Sequence, residues 1–232
     1  IGCAIIWGGR RPDPLLVRAG LDAGGDLIRG GADASSASGW AVVRRYPAAG
    51  AVMVVMAGAH AAMVAVMTMT PVHLHHESAA GAAEAGTIGL IGLTISLHIA
   101  GMFAFSPIMG WLTDRYGAWR TALGGLTALL VATGGAAAFS HHTLLVISCL
   151  VLLGVGWSAA TVAGSTLLVE TLPAEHRVAA QGFSDAVMSF AAAAAALAGG
   201  PVMAVAGFPG VAVVAAAVSL LAVGVAARFA AR

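Results

Sequence analysis

Charge is what this sequence has least of. Only 9% of its 232 residues are Asp, Glu, Lys or Arg, against about a quarter in a soluble globular domain, so a water-soluble fold is excluded. Lysine and asparagine are absent and Gln181 is the single glutamine. The 11 cations are therefore all arginine, which we read as coding bias without functional weight. A formal net charge of +1 leaves no basic face for nucleic acid. Two cysteines, Cys3 and Cys149, are too few for a disulfide scaffold. The 31 glycines follow no G-X-Y period, which excludes collagen. What the chain does have is apolar side chains, 59% of the total, and a mean hydropathy of +0.93. Disorder requires the opposite balance. The composition is that of an all-α polytopic membrane protein.

The few charges are unevenly placed. Residues 1–48 hold six Arg and four Asp, and the other 184 residues hold five Arg, four Glu and two Asp. A spanning helix needs about 20 mostly apolar residues. Six such runs are present, at about 50–70, 87–111, 121–140, 143–169, 179–206 and 209–228. Turn and charge signals separate them at 71–86, 113–120, 141–142, 171–178 and 208–210. With six crossings, alternate loops lie on opposite sides, and every Arg then falls on one side. The rule that arginine collects in cytoplasmic loops makes that side cytoplasmic, with both ends of the chain on it, in a bacterial-type cell membrane.

The chain opens on Ile1-Gly2-Cys3-Ala4-Ile5-Ile6-Trp7, too short for a span or a signal peptide. Residues 1–11 read as the inner end of a truncated helix and 12–48 as a cytoplasmic linker. Residues 49–232 read as the six-helix transmembrane domain. The expectation is a fragment.

Between the second and third runs lies Gly110-Trp111-Leu112-Thr113-Asp114-Arg115-Tyr116-Gly117. Gly110 is suited to a close approach of two helices. Asp114 and Arg115 make a charged hinge at the membrane face, and Gly117 permits a tight turn. This G-x-L-x-D-R-x-G pattern resembles the signature loop of the major facilitator superfamily, which joins the second and third helices of a six-helix half. Ala118 and Trp119 stand where that family usually has basic residues, with Arg120 following. Pro173, Arg177 and Gly182 resemble a second loop of the family, P-x-x-x-R-x-x-x-x-G, and Glu170 stands where the family often has an acid paired with the signature-loop arginines. The resemblance covers about residues 50–230. It implies the C-terminal six-helix half of a twelve-helix transporter working by alternating access, with an N-terminal half as partner. It also implies a gate network of Gly110, Asp114, Arg115, Gly117, Arg120, Glu170 and Arg177, whose pairing differs between conformations.

Other residues point toward a pathway through the spans. Met53, Met56, His60, Met63 and Met67 share one helical stripe, and methionine suits a surface that accepts varied apolar ligands. His60 and His98 lie near the middle of the first two spans, at depths where an ionisable group is costly. Histidine gains and loses a proton near neutral pH, so either could couple a proton to transport. Asp185, about a turn into the fifth span, can pair with an Arg or favour its helix N-terminus. Small-residue stripes, Gly92-Ser96-Ala100 and Gly156-Ala160-Gly164, read as close packing. Pro107 and Gly199-Gly200-Pro201 should bend their helices. His73, His75 and His76, before Glu77, form an H-x-H-H-E group in the 71–86 loop that could take Zn²⁺ or serve a gate.

The resulting expectation is a secondary transporter exporting a small amphipathic molecule against a proton gradient, bathed by lipid. It calls for no cofactor, and no catalytic motif is present. Two other readings stay open. One is a proton-coupled nutrient importer. The other is a membrane metal-binding protein using the His73 to His76 group.

Overall fold

A computed structural model describes residues 39–78 and 84–230. Its elements are α1 (Gly39–Arg45), α2 (Pro47–Ser78), α3 (Glu84–Phe103), α4 (Ser106–Tyr116), α5 (Ala118–Ala138), α6 (Thr143–Thr171) and α7 (Ala174–Ala230), and no strand occurs among the described residues. The physical reason is simple. Runs of Ala, Val, Leu and Gly in hydrocarbon have no partner for their backbone groups except themselves, and a helix satisfies every one within its own segment.

Five stretches are long and apolar enough to cross a membrane: Pro47–Glu77, Gly86–Tyr116, Ala118–Ala138, Thr143–Thr171 and Ala174–Ala230. The last has 57 residues, about 85 Å if straight, nearly three times the ~30 Å hydrocarbon core. It is not straight. Gly207, at φ 65° and ψ −172°, breaks it. Ala195 and Val202 before the break share one cavity wall with Val211 and Val218 after it, so the arms run antiparallel and make two crossings. The architecture is an all-helical membrane domain of six crossings, the order read from the sequence.

The turns are shorter than the sequence indicated. α2 continues through Pro71 to Ser78, so His73, His75 and His76 stand on a helix and not in a loop. The charged loop at 113–120 reduces to Gly117, whose φ of 92° separates α4 from α5. The 171–178 loop reduces to Leu172 and Pro173. Pro107 does mark a break, because α3 ends at Phe103 and α4 starts at Ser106 with proline in its first turn. Gly207 makes the turn between the fifth and sixth spans, one residue before the 208–210 turn read from the sequence, and the Gly199-Gly200-Pro201 run stays within the helix. The stub at 1–11 and most of the 12–48 linker lie outside the described residues. The linker's last residues form α1, with Val42 buried and Gly39 against Phe183 of α7.

Helix approach is decided by glycine, as expected where water-driven burial no longer favours association. A Cβ on Gly125 of α5 would sit 2.7 Å from the backbone O of Gly156 and N of Ala160 on α6. On the other side of α6, a Cβ on Gly154 would stand 2.5 Å from the His98 backbone O of α3. Gly164 abuts Met56 of α2. α6 is therefore the hub. The α3–α4 span is the outlier, with only 17% of its most apolar window buried against 61% for α2. Gly92, Ser96 and Ala100 are exposed, and a Cβ on Gly92 would meet nothing, so this small-residue stripe faces away from the bundle. Gly110 also has open space around it, which corrects its reading as a close-approach glycine.

The two ends of the bundle differ in residue type. At one end, Tyr46 packs on His176 with ring centroids 5.7 Å apart, and Trp119 stacks on Phe229 at 5.7 Å. An apolar cluster including Val42, Ala118 and Leu172 closes that end, and all described arginines lie there: Arg44, Arg45, Arg115, Arg120, Arg177 and Arg228. At the other end His73 meets the α5–α6 turn and the break of α7.

Candidate functional site

The two mid-span histidines separate once their partners are known. His60 on α2 is half-buried, and the indole Nε1–H of Trp157 on α6 donates to its Nδ1 at 2.8 Å. Trp157 is the midpoint of α6. Its ring also meets Phe103 edge-on at 6.1 Å, and Phe103 is the last residue of α3 before the break. Just past that break, Ser106 Oγ lies 3.3 Å from the Met102 carbonyl, to which it donates, and 3.2 Å from Ser158 Oγ. The break is thus held to α6 by an aromatic contact and a hydroxyl pair next to His60's partner.

His98 on α3 is buried, and its Nδ1–H donates to the Leu150 carbonyl at 2.7 Å. That bond leaves Nε2 as an acceptor with no partner among the described residues. Leu150 and Trp157 are seven residues apart on α6, about 10 Å along its axis. His60 and His98 therefore bond α6 at different levels, His60 at its midpoint and His98 about two turns nearer its N-terminal end.

The chemistry at His60 is constrained by its partner. An indole N–H can only donate, so His60 Nδ1 must carry a lone pair and the ring proton must sit on Nε2. A proton added at Nδ1 would set two donors against each other. Protonation of His60 and the Trp157 bond are mutually exclusive.

The methionine stripe is packing. Met53 and Met56 are buried in the cluster at the arginine-bearing end, and Met63 lies in the main core with Met67 against it. Ser184 Oγ of α7 points to Met56 Sδ at 3.8 Å. These side chains meet other helices where the sequence reading put a ligand-accepting surface.

The charged residues at the arginine-bearing end are brought together as a region but not as pairs. Asp114, Arg115, Arg120 and Glu170 are exposed, and the only ion pair among the described residues is at the opposite end. Arg177 Nε donates to the Leu172 carbonyl at 3.1 Å, closing the α6–α7 turn. Asp185 accepts from Gln181 Nε2 at 3.1 Å on its own helix. Gly117 performs the turn role read from the sequence.

The His73, His75 and His76 group disperses. His73 is buried, its Nε2–H donates to the Ser140 carbonyl at 2.8 Å, and its ring stacks on Phe208 at 4.3 Å. His75 and His76 are exposed, and no three metal-ligating residues converge among the described residues. Glu77 instead meets His141 Nδ1 at 3.3 Å. Sequence reasoning missed Trp157, Ser158 and Phe208. A tryptophan at the centre of an otherwise small and aliphatic span was the signal available for the first of these.

The Major Facilitator Superfamily profile matches residues 82–232. Two similar proteins are the "Uncharacterized MFS-type transporter YddS" and the "Uncharacterized MFS-type transporter YdeG", both from Bacillus subtilis (strain 168). The first is 34% identical over 84% of this chain and 43% of its own length. The second is 32% identical over 79% of this chain and 41% of its own. The matched segment thus spans about two fifths of each relative. No solved structure matches significantly.

Proposed function

The chain belongs to the major facilitator superfamily, and on that footing we propose that it forms one six-helix half of a secondary transporter that exports a small amphipathic molecule in exchange for protons. The observation that carries the coupling is the Trp157 to His60 hydrogen bond at mid-span. Because that bond requires a neutral His60, a proton arriving there releases Trp157, and with it the aromatic contact to Phe103 at the break of the second span. The break is the element with two arrangements, and the proton biases it by binding one of them better. The substrate class follows from the surroundings of His60. His60 meets an indole and, through that indole, a phenyl ring, with no charged partner among the described residues, which suits an amphipathic solute better than a polar nutrient.

The second half of the pathway would come from another six-helix unit. Its seat is the exposed face of α3, where Gly92, Ser96 and Ala100 lie open beside Ile88, Leu93 and Leu97. The arginine-bearing end faces the cytoplasm of the cell by the charge rule. There Asp114, Arg115, Arg120, Glu170 and Arg177 form the gate set, without an ion pair among the described residues in the present arrangement and paired when that end closes.

The test is transport in membrane vesicles from cells expressing the native gene, across a range of pH. Trp157→Phe keeps the ring but removes the donor, and it shifts the pH dependence of transport. His60→Gln abolishes the dependence on the proton gradient. Rates unchanged by both substitutions at every pH would overturn the coupling role.

A further inference from the structure

A second site lies away from His60, on the other side of α6. Val155 and Trp157 are two residues apart, about 200° around the helix, so what Val155 lines is turned away from the candidate pathway. A groove with a cavity of about 440 Å³ runs there between α4, α5 and α6. Its wall is carbon, from Met109, Leu112, Gly124 and Val155, and its polar mouth is made by Tyr116 and Arg120. The groove exists because α4 leans on α6 while Gly117 carries the chain away into α5, leaving a cleft above the tight Gly125–Gly156 crossing.

We propose that this groove binds an anionic phospholipid, with an acyl chain along the apolar wall and the headgroup phosphate at Arg120 and Tyr116. Three observations support the occupant. Arg120 is exposed at the end where all described arginines lie and makes no ion pair among the described residues, so its charge is open to an anion. Trp111 and Tyr116, paired edge-on at 6.2 Å and both more than half exposed, are the aromatic types that settle at headgroup depth. The wall below them is apolar, so a soluble anion would leave it unfilled, whereas a tail fills it. Basic pockets between spanning helices at the cytoplasmic side are suited to acidic headgroups.

The experiment is native mass spectrometry of the detergent-solubilised chain titrated with phosphatidylglycerol, phosphatidylcholine or glycerol phosphate. The groove retains phosphatidylglycerol in preference to phosphatidylcholine. Arg120→Gln lowers that preference about fivefold, the effect of one basic residue near an anionic surface, and Arg120→Lys restores most of it. Gly124→Leu weakens retention of both lipids, because a side chain there enters open space and fills the groove without a clash. Arg228→Gln, at the same end on α7, leaves the preference unchanged. Equal retention of both lipids by the unmodified chain would overturn the proposal. So would an equal loss on Arg228→Gln, which would mark diffuse surface charge. Competition by glycerol phosphate as effective as by phosphatidylglycerol would also overturn it, marking a soluble-anion site.

Discussion

The two ends of this bundle are fastened by different means. At the arginine-bearing end the contacts that hold helices together are apolar, with Val42, Ala118 and Leu172 in one cluster and Trp119 stacked on Phe229. Apart from Arg177, which closes the α6–α7 turn at Leu172, the described arginines stand outside those contacts. At the histidine-bearing end a single side chain, His73, ties three elements at once, stacking on Phe208 of α7 and donating to Ser140 in the α5–α6 turn. A buried polar side chain therefore joins helices at one end, while at the other Asp114, Arg115, Arg120 and Glu170 are free to act. A charge that holds no helix in place can exchange partners without loosening the fold, and that is what a gate or a lipid headgroup requires.

The largest test of this contrast is Phe208→Ala. The ring is 1% exposed, and its loss should cost about 3–5 kcal/mol, read as a large drop in the midpoint of thermal unfolding in detergent. A small drop would mean that the histidine-bearing end is not held by this stack. His73→Phe comes next. It keeps an aromatic face for Phe208 but leaves the Ser140 carbonyl without its donor, at about 1–3 kcal/mol. The smallest effect belongs to the double change Arg115→Gln with Arg228→Gln. Both side chains are exposed and outside the packing, so the midpoint should move by less than the equivalent of about 0.5 kcal/mol each. A loss approaching that of His73→Phe would erase the distinction between the ends.

How much of this was legible in the sequence depended on whether a feature was local. The crossings were legible because each is a run of apolar residues bounded by its own turn signals, and Gly117 was legible because a turn needing positive φ asks for glycine. Pro71 misled, since proline usually ends a helix. Within a membrane bundle the freed carbonyl is tolerated more easily, so α2 ran on and carried the three histidines onto different faces. The two small-residue stripes show the same limit. Gly156-Ala160-Gly164 and Gly92-Ser96-Ala100 have one pattern, yet the first is buried against α5 and α2 and the second faces outward. Which helix lies opposite is not written in the stripe itself. Trp157 was missed for that reason too, because its meaning depends on α2 lying beside α6.

The break at Gly207 has a consequence for how the chain enters the bilayer. From Phe190 to Val218 no side chain is polar, and the helix resumes directly after the one non-helical residue. The segment that must pass through the hydrocarbon first therefore carries neither charge nor hydroxyl on its side chains. The last two crossings can be inserted together as a bent pair from the arginine-bearing side, with Arg177 and Arg228 left behind as its two feet.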